Sequence, residues 1–291
     1  MPRFSYYPGC SLHSTATEYD ASTRAVLAAL GIEVEELADW NCCGASSGHA
    51  LSPYLAHALP LRNLILAEQQ GEAVVVPCAA CYNLLRVTQD FMARNPEAAE
   101  RINRDLKATV GHPYEGRAVV RHLLDVLSTP EMLRLIRSRV RRPLTGLRIA
   151  AYYGCLLNRP AVVSFEESPE QPTRMEKVLE AVGATPVSWT GRTDCCGASL
   201  SLSRPDLVSR LVGTIVAAAY RAGAAALVTA CPLCQSNLDG RQSRVDAHMP
   251  VFYVSEVVGI ALGLQGAEGW LGRHLLDPRP LLQSLPRSIS A

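Results

Sequence analysis

"DWNCCGASSGHAL", residues 39–51, places two adjacent cysteines, Cys42 and Cys43, directly before a glycine. The stretch "DCCGASLSL", residues 194–202, repeats the same motif in the second half of the chain. Adjacent cysteines can form a disulfide with each other only through a strained ring. The repeated CCG motif therefore needs another explanation, and the rest of the sequence supplies the candidates.

All the cysteines of the chain fall into two sets with the same order: one cysteine, the adjacent pair, and a C-x-x-C motif. The first set is Cys10, Cys42, Cys43, Cys78 and Cys81, and the second is Cys155, Cys195, Cys196, Cys231 and Cys234. The pair and the C-x-x-C motif are separated by 34 residues in both sets, whereas the first gap is 31 residues in one and 39 in the other. We attribute the extra residues to "SFEESPEQPTR", residues 164–174, whose prolines and polar side chains predict a surface loop. These spacings indicate an internal duplication.

The segments between the cysteines predict two similar β/α halves. "STRAVLAALGIEVEEL" (22–37) and "RMEKVLEAVGATPVSW" (174–189) each combine helical apolar spacing with a glycine that suits a helix C-terminus. A second helix in each half is predicted to run from Pro53 to about Gly71 and from Pro205 to about Gly223. Apolar runs lead into each C-x-x-C motif and predict buried parallel strands. The fold class is therefore α/β, with the cysteines at the strand C-termini.

The sequence divides into four segments. We predict a first CCG half at 1–91, a helical connector at 92–146, a second CCG half at 147–262 and a C-terminal tail at 263–291, the last part of which is polar and could be disordered or a partner tail. In the connector, Thr129 and Pro130 are a helix-start signal. From Met132 to Phe165 there are seven arginines and no acidic residue. This run indicates a solvated helix face or, alternatively, a docking surface for an acidic partner or an anionic substrate group.

Composition narrows the functional class. A chain of 291 residues with 48% hydrophobic residues can bury a full core, and its net charge of +1 gives no reason to expect a nucleic-acid partner. No secretory signal is recognisable at the N-terminus, and the most apolar window contains Arg221, so we predict a cytoplasmic protein without a transmembrane segment. Ten cysteines in a reducing compartment indicate metal or redox chemistry.

Several thiol chemistries compete as explanations. Two structural zinc sites would use eight cysteines and leave two without a role. A disulfide within the CC pair, or a thioredoxin-like C-x-x-C site, would each explain only part of the pattern. Thiolate-rich sets also suit iron-sulfur clusters, in which neighbouring cysteines can ligate neighbouring iron atoms. The glycine after each pair would let the backbone bend close to such a cluster.

The pattern C-x(31–39)-CC-x(34)-C-x-x-C, present twice, resembles the cysteine-rich CCG domain family. Residues 4–260 as a whole resemble the B-type subunit of heterodisulfide reductase and its bacterial homologues. The resemblance implies two pseudo-twofold-related, Rossmann-like halves, with one non-cubane 4Fe-4S cluster held by each five-cysteine set. Both clusters would face a shared cleft, where a disulfide is reduced, or thiols are oxidised, with one electron from each cluster.

The resemblance also implies partners. The chain has no C-x2-C-x2-C-x3-C-P run of a ferredoxin domain, so we expect it to exchange electrons with a separate ferredoxin-like iron-sulfur subunit of the C type and a flavin subunit of the A type. Localisation is then cytoplasmic, with peripheral membrane association through the complex. The alternative is a non-catalytic electron-transfer subunit of a flavin-linked hydroxy-acid or quinone oxidoreductase complex. The stretch "SEVVGIALGLQGAEGWLGRHLL", residues 255–276, could then be a docking helix, although it also suits a helix that caps the second half.

A few other residues are expected near the clusters. Gly44, Gly197, Pro77 and Pro232 would shape their immediate surroundings. His49 stands where the second half has Leu202, which makes it a candidate catalytic proton donor or substrate contact, with a solvated or merely packed histidine as the alternative. We also expect Tyr7 and Tyr153 to be equivalent core residues of the two halves.

Overall fold

The computed structural model describes residues 2–45, 48–242 and 248–286, with the backbone alone described at His49. The first half contains strands β1 (Arg3–Tyr6), β2 (Glu33–Glu36), β3 (Val74–Val76) and β4 (Val120–His122), and helices α1 (Gly9–Leu12), α2 (Thr17–Ala29), α3 (Gly48–Leu51), α4 (Pro53–Gln70), α5 (Ala79–Arg94), α6 (Pro96–Val110), α7 (Leu123–Leu127) and α8 (Pro130–Arg139). The second half contains strands β5 (Arg148–Tyr152), β6 (Thr185–Pro186), β7 (Ala226–Thr229) and β8 (Val251–Tyr253), and helices α9 (Arg174–Ala181), α10 (Pro205–Arg221), α11 (Pro232–Gly240), α12 (Val254–Ala261), α13 (Ala267–Leu271) and α14 (Arg279–Gln283). Short 3-10 turns lie at Ala161–Val163, Gly191–Thr193 and Ala198–Leu200.

The two halves contain sheets of the same topology. The strand order is β2-β1-β3-β4 in one sheet and β6-β5-β7-β8 in the other, and all neighbouring strands are parallel. This arrangement confirms the predicted α/β fold and is consistent with two Rossmann-like halves. It also contains a strand that the sequence did not predict, because β4 lies inside the segment interpreted as a helical connector and pairs with β3.

The predicted helix boundaries are confirmed where the signals are local. Helix α4 begins at Pro53, and the side chain of its N-cap residue Ser52 accepts a hydrogen bond from the backbone N–H of Tyr54 at 3.1 Å. Its C-cap is Gly71, which adopts the left-handed conformation. Helix α10 begins at Pro205. The loop at 164–173, which carries the extra residues of the second half, contains no helix or strand.

The last helices of each half pack on the other half. Helices α12 and α13 contact α2, and helices α7 and α8 contact α9. The hydroxyls of Ser22 and Ser255 lie 2.7 Å apart at the first contact, and Asp125 and Arg174 form an ion pair at the second. All eight residues of α12 are buried, and burying each of its valine and isoleucine side chains contributes roughly 1.5–3 kcal/mol. Helix α12 is therefore part of the core between the halves and not a surface docking helix.

The C-terminal tail is only partly described. Helix α14 closes the described part of the C-terminal tail, and residues 287–291, where disorder or a partner tail was predicted, lie outside the described residues. Within the described parts of the chain, no helix combines the length and the apolarity needed to span a membrane.

Candidate functional site

Each cysteine set lies at the carboxyl edge of its own sheet. Cys10 follows β1, the CC pair follows β2, and Cys78 is the N-cap of α5 directly after β3. The second set repeats this arrangement after β5, β6 and β7, with Cys231 as the N-cap of α11. Parallel strands bring their carboxyl ends together, so residues far apart in the chain meet at one edge.

The thiols within each set lie close together, and all ten are free. In the first set, the sulfur of Cys42 lies 3.6 Å from that of Cys10, and the sulfur of Cys43 lies 3.2 Å from that of Cys81. In the second set, the sulfurs of Cys196 and Cys234 lie 3.5 Å apart, and Cys155 lies close enough to Cys195 to shift its pKa. Both sets extend from buried C-x-x-C thiols to two cysteines that are exposed or partly exposed, Cys10 and Cys42 in the first set and Cys155 and Cys195 in the second.

The two sets meet in the interior of the protein. The buried thiols of Cys78 and Cys231, one from each set, lie close enough to shift each other's pKa. The proximity of Cys231 is the largest cause of the raised pKa of Cys78, whereas the pKa of Cys231 is lowered mainly by the proximity of Cys234. The two cysteine sets thus approach each other at Cys78 and Cys231.

A buried histidine that the sequence did not point to lies beside this junction. His122 accepts a hydrogen bond at Nδ1 from the backbone of Leu124, at 3.1 Å, so its proton lies on Nε2 and is donated to the carbonyl of Pro77, at 2.9 Å. Burial lowers the pKa of His122 to about 4, so the ring is neutral at neutral pH. His122 is the last residue of β4, as Tyr253 is the last residue of β8. This position could have marked His122 in the sequence, but β4 was not predicted.

The glycine of each CCG motif contacts the first thiol of its pair. The backbone N–H groups of Gly44 and Gly197 donate to the sulfurs of Cys42 and Cys195 at 3.4 and 3.3 Å. Both glycines have positive φ angles, 84° and 77°. Contact with Cys10 is the largest cause that lowers the pKa of Cys42 to about 2. The equivalent contact with Cys155 lowers the pKa of Cys195 to about 6. Each pair thus presents one thiol that readily becomes a thiolate.

Two further glycines near the thiols were also missed. A Cβ on Gly9 would lie 2.8 Å from the sulfur of Cys81, and a Cβ on Gly154 would lie 3.2 Å from the sulfur of Cys234. The signal was present in the sequence, because a glycine directly precedes the first cysteine of both sets. These glycines allow the first cysteine loop to lie against the C-x-x-C motif.

The two predicted prolines occupy different positions. Pro77 precedes the C-x-x-C motif, and its carbonyl accepts hydrogen bonds from His122 and from the hydroxyl of Tyr19 at 3.0 Å. Pro232 instead follows Cys231 and is the first residue of α11. Pro77 therefore fixes the entry to one motif, whereas Pro232 starts the helix that follows the other.

The structure corrects one predicted equivalence. Tyr7 donates its hydroxyl proton to the carbonyl of Asn41 at 2.8 Å, and Tyr152 donates to the carbonyl of Asp194 at 2.6 Å. Each carbonyl belongs to the residue directly before a CC pair. The counterpart of Tyr7 is thus Tyr152, not Tyr153, because both stand three residues before the first cysteine of their set. Tyr153 is buried, as predicted, and contacts Glu176 instead.

A cavity of about 510 Å³ lies between the second set and the first half. All five cysteines of the second set line it on one side, and Ala79, Ala80, Asn83 and Leu84 of α5 line the other. Leu202 stands at this cavity and is 97% exposed. The side chain of its predicted counterpart, His49, lies outside the described residues, so the predicted role of His49 stays a prediction.

The arginine-rich run contributes to a second concave surface. This basic groove has a volume of about 890 Å³ and is formed by β4, α7, α8, the loop at 164–173 and the start of α9. Its basic lining residues are Arg121, Arg134, Arg137, Arg174 and Lys177, and its acidic ones are Asp125, Glu166 and Glu167. Arg121 and Arg174 both pair with Asp125, at 2.8 and 2.7 Å. The remaining basic side chains give the groove its positive character.

The fold and the site together define a class of protein: a duplicated parallel α/β protein with a five-thiol set at the carboxyl edge of each sheet. The chain belongs to the CCG family of cysteine-rich domains, whose model matches residues 4–86 and 149–239. The resemblance drawn from the cysteine pattern is thereby confirmed.

The proteins that are similar to this chain include two curated relatives and one solved structure. The "8-methylmenaquinol:fumarate reductase membrane anchor subunit" of Wolinella succinogenes is 33% identical over 284 residues, which cover 96% of this chain and 98% of the relative. A protein of Archaeoglobus profundus that is named as similar to the B-type subunit of heterodisulfide reductase is 29% identical, covering 90% of this chain and 91% of the relative. A crystal structure of a hypothetical protein from Helicobacter pylori has a TM-score of 0.71 at 13% identity and covers 94% of this chain, which spans 51% of that chain. The last likeness shows the fold alone.

Proposed function

We propose that this chain is an iron-sulfur subunit of an oxidoreductase complex, which moves electrons between a partner subunit and a substrate bound in the cavity between its halves. The observation that carries the proposal is the clustering of ten free thiols in two sets, with sulfur-to-sulfur distances of 3.2, 3.5 and 3.6 Å within them, and with Cys78 of one set near Cys231 of the other. Two adjacent redox centres are what such a protein needs in order to carry electrons through its interior. The names of the two curated relatives, both from reductases, support the same role.

The residues present fit iron-sulfur groups better than single metal ions. Ten free thiols are soft donors of the kind that such clusters require. Among the described residues, no group of three or more His, Cys, Asp or Glu side chains has the arrangement of a single-ion site. Five thiols spread over contacting pairs suit a polynuclear group. By family resemblance we propose one non-cubane 4Fe-4S cluster per set, held by the cysteines of that set.

When bound, each cluster would supply one-electron transfer at a potential set by its surroundings. The chain's own residues control those surroundings. The backbone N–H groups of Gly44 and Gly197 donate to thiolate sulfur, which stabilises the charged ligand form. Hydrogen bonds from Tyr19 and His122 to the carbonyl of Pro77 hold the start of the first C-x-x-C motif in place. The buried C-x-x-C thiols exclude water from the junction.

Two reactions are candidates for the cavity. Disulfide reduction, or thiol oxidation in the reverse direction, is supported by the Archaeoglobus relative and by the proximity of two one-electron centres, since breaking a disulfide takes two electrons. Electron transfer in a quinone-linked complex is supported by the Wolinella relative and by the apolar lining of the cavity. For the disulfide reaction, His49 is proposed as a proton donor or substrate contact on the side of the first set.

The proposed partners are a ferredoxin-like iron-sulfur subunit and a flavin subunit, within a cytoplasmic complex that associates peripherally with the membrane. The basic groove is the proposed contact for an acidic partner surface, because its free cations favour complementary charge. We expect Arg134→Glu combined with Arg137→Glu to reduce the partner that copurifies at low salt. Arg221→Glu, an exposed position outside the groove, is the matched control. Equal copurification of all variants would contradict this docking site.

The proposed function is tested by metal content and spectroscopy on anaerobically purified protein. We expect about eight iron atoms and about eight sulfide ions per chain, with a paramagnetic resonance signal after partial reduction. Replacing Cys231 with serine should lower the iron content and alter the signal of the second set. Two zinc ions per chain without sulfide would overturn the proposal and leave a structural metal protein.

A further inference from the structure

Helix α5 of the first half reaches both cysteine sets. It begins directly after Cys78 and carries Cys81 in its first turn. Residues from its first two turns also form one wall of the cavity of about 510 Å³, and the five thiols of the second set lie on the other. The cluster proposed for the second set would lie on this thiol side, so its surroundings come from both halves of the chain.

Asn83 ties α5 to the turn that carries Cys155. Its side-chain amide donates to the carbonyl of Leu156 at 2.7 Å and to the carbonyl of Arg159 at 2.8 Å. Both partners are carbonyl oxygens, so these two bonds use both N–H groups of the amide. Asn83 is only 6% exposed, so the two bonds are largely shielded from water.

The turn that carries Cys155 depends on hydrogen bonds from two sources. The carbonyl of Cys155 accepts from the backbone N–H groups of Asn158, at 3.3 Å, and Arg159, at 3.0 Å, which closes the turn. The carbonyls of Leu156 and Arg159 are bound by Asn83 of the opposite half. Polar groups left without a partner inside a protein are costly, so loss of the amide favours a rearrangement of this turn.

The duplication does not repeat this tie at the equivalent position. Asn83 and Ser236 each stand two residues after the last cysteine of their set. Ser236 is exposed on α11, whereas Asn83 is buried. The carbonyl of Cys10 is bound within its own half, by the hydroxyl of Ser14 at 2.8 Å. Loss of Asn83 should therefore affect the second set and spare the first.

We propose that Asn83 is a positioning residue for the second cluster. It holds the Cys155 turn from the opposite half, where Cys155 can join the other four thiols of its set as a ligand. The second cluster, but not the first, then depends on α5 being docked against the second half. This inference rests on the proposed iron-sulfur function.

The test uses the anaerobically purified, cluster-loaded full chain and the variant Asn83→Asp, which removes both N–H donors at nearly unchanged side-chain volume. We expect the iron content to fall from about eight toward about four atoms per chain. The resonance signal that Cys231→Ser alters should be lost, and the signal of the first set should remain. Alkylation of Cys155 by iodoacetamide, followed by peptide mass spectrometry, should become about tenfold faster, with Cys10 unchanged.

The matched control is Tyr82→Phe, at the neighbouring residue of the same helix. The hydroxyl of Tyr82 donates to the carbonyl of Val163 at 2.9 Å, so this variant also loses a hydrogen bond between the halves, but outside the Cys155 turn. We expect it to keep both clusters. Asn83→Ala is a second test of the amide that introduces no charge, and it should show the same selective loss as Asn83→Asp.

The outcomes separate this inference from the proposed function. Wild-type iron content and wild-type alkylation of Cys155 in folded Asn83→Asp or Asn83→Ala would overturn the role of Asn83. An equal loss in Tyr82→Phe, or loss of both clusters in the Asn83 variants, would also overturn it, because docking of the halves in general would then be the cause. Wild-type protein without iron and sulfide would instead contradict the proposed function itself.

Discussion

The ring of Tyr19 in the first half stacks on the ring of Tyr253 in the second, with centroids 4.1 Å apart and planes within 4° of parallel. The hydroxyl of Tyr19 also donates to the carbonyl of Pro77, directly before Cys78. The stack thus joins the helix α2, the last strand of the other sheet and the start of a cysteine motif. It lies where the two sets meet, so its packing holds the junction between them.

Two substitutions of Tyr19 should separate the contributions of its hydroxyl and its ring to stability. Tyr19→Phe keeps the stacked ring and loses one buried hydrogen bond, which should lower the free energy of unfolding by about 1 kcal/mol. Tyr19→Ala removes the ring as well and should cost about 3–5 kcal/mol. Urea unfolding of the loaded protein measures both. The control is Tyr220→Ala, at a tyrosine that is 58% exposed and should tolerate the change. Equal costs for the two substitutions at Tyr19 would show that the ring contributes nothing.

Gly9→Ala should reduce cofactor retention because the new Cβ would collide with the sulfur of Cys81, in addition to straining the backbone. Both Gly9 and Gly71 have positive φ angles, 71° and 80°, so alanine strains the backbone at either position by roughly 1–2 kcal/mol. A Cβ at Gly9 would also lie 2.8 Å from the sulfur of Cys81, whereas nothing lies within 4 Å of a Cβ at Gly71. We expect Gly9→Ala to lose iron and Gly71→Ala to retain it. Equal iron contents, measured per chain, would contradict the role of Gly9.

The sequence predicted those features that depend on a few neighbouring residues. The helix starts at Pro53 and Pro205 are of this kind, because a proline at the first helical position needs no tertiary partner. Strand β4 was missed because the residues Val120–His122 are too few to show a periodicity, and only pairing with β3 makes them a strand. The connector therefore looked purely helical.

The cysteine spacing predicted two sets of thiols but not how the sets lie relative to each other. The proximity of Cys78 and Cys231 depends on how the halves pack, with α12 on α2 and α7 on α9, and such packing leaves no local pattern in the sequence. The same holds for His122, whose neighbours come from three separate segments. The cavity of about 510 Å³ has walls from both halves, so it too could not be predicted from the sequence.

The corrected tyrosine equivalence predicts a local effect in each half. Tyr7→Phe removes the bond to the carbonyl before Cys42, and Tyr152→Phe removes the bond to the carbonyl before Cys195. Each loss should cost about 1 kcal/mol and loosen the adjacent CC loop. We expect faster iodoacetamide alkylation of Cys42 in the first variant and of Cys195 in the second, measured by peptide mass spectrometry of the loaded protein. Tyr153→Phe is the control, and a rise at Cys195 in that variant alone would restore the original equivalence.

A buried pair in the second half should make stability depend on pH. His274 Nε2 lies 2.9 Å from a carboxylate oxygen of Glu256. Burial disfavours the charged ring, but the hydrogen bond and charge of Glu256, with Asp239 and Glu18 nearby, outweigh it and raise the pKa of His274. Its stabilising contribution is therefore complete below the unfolded-state pKa of about 6.5 and is lost as the pH rises through the higher folded-state value. The difference in unfolding free energy between wild type and His274→Gln should thus be larger at about pH 6 than at about pH 9. A difference that is constant, or that grows with pH, would show that the ring is neutral in the folded protein.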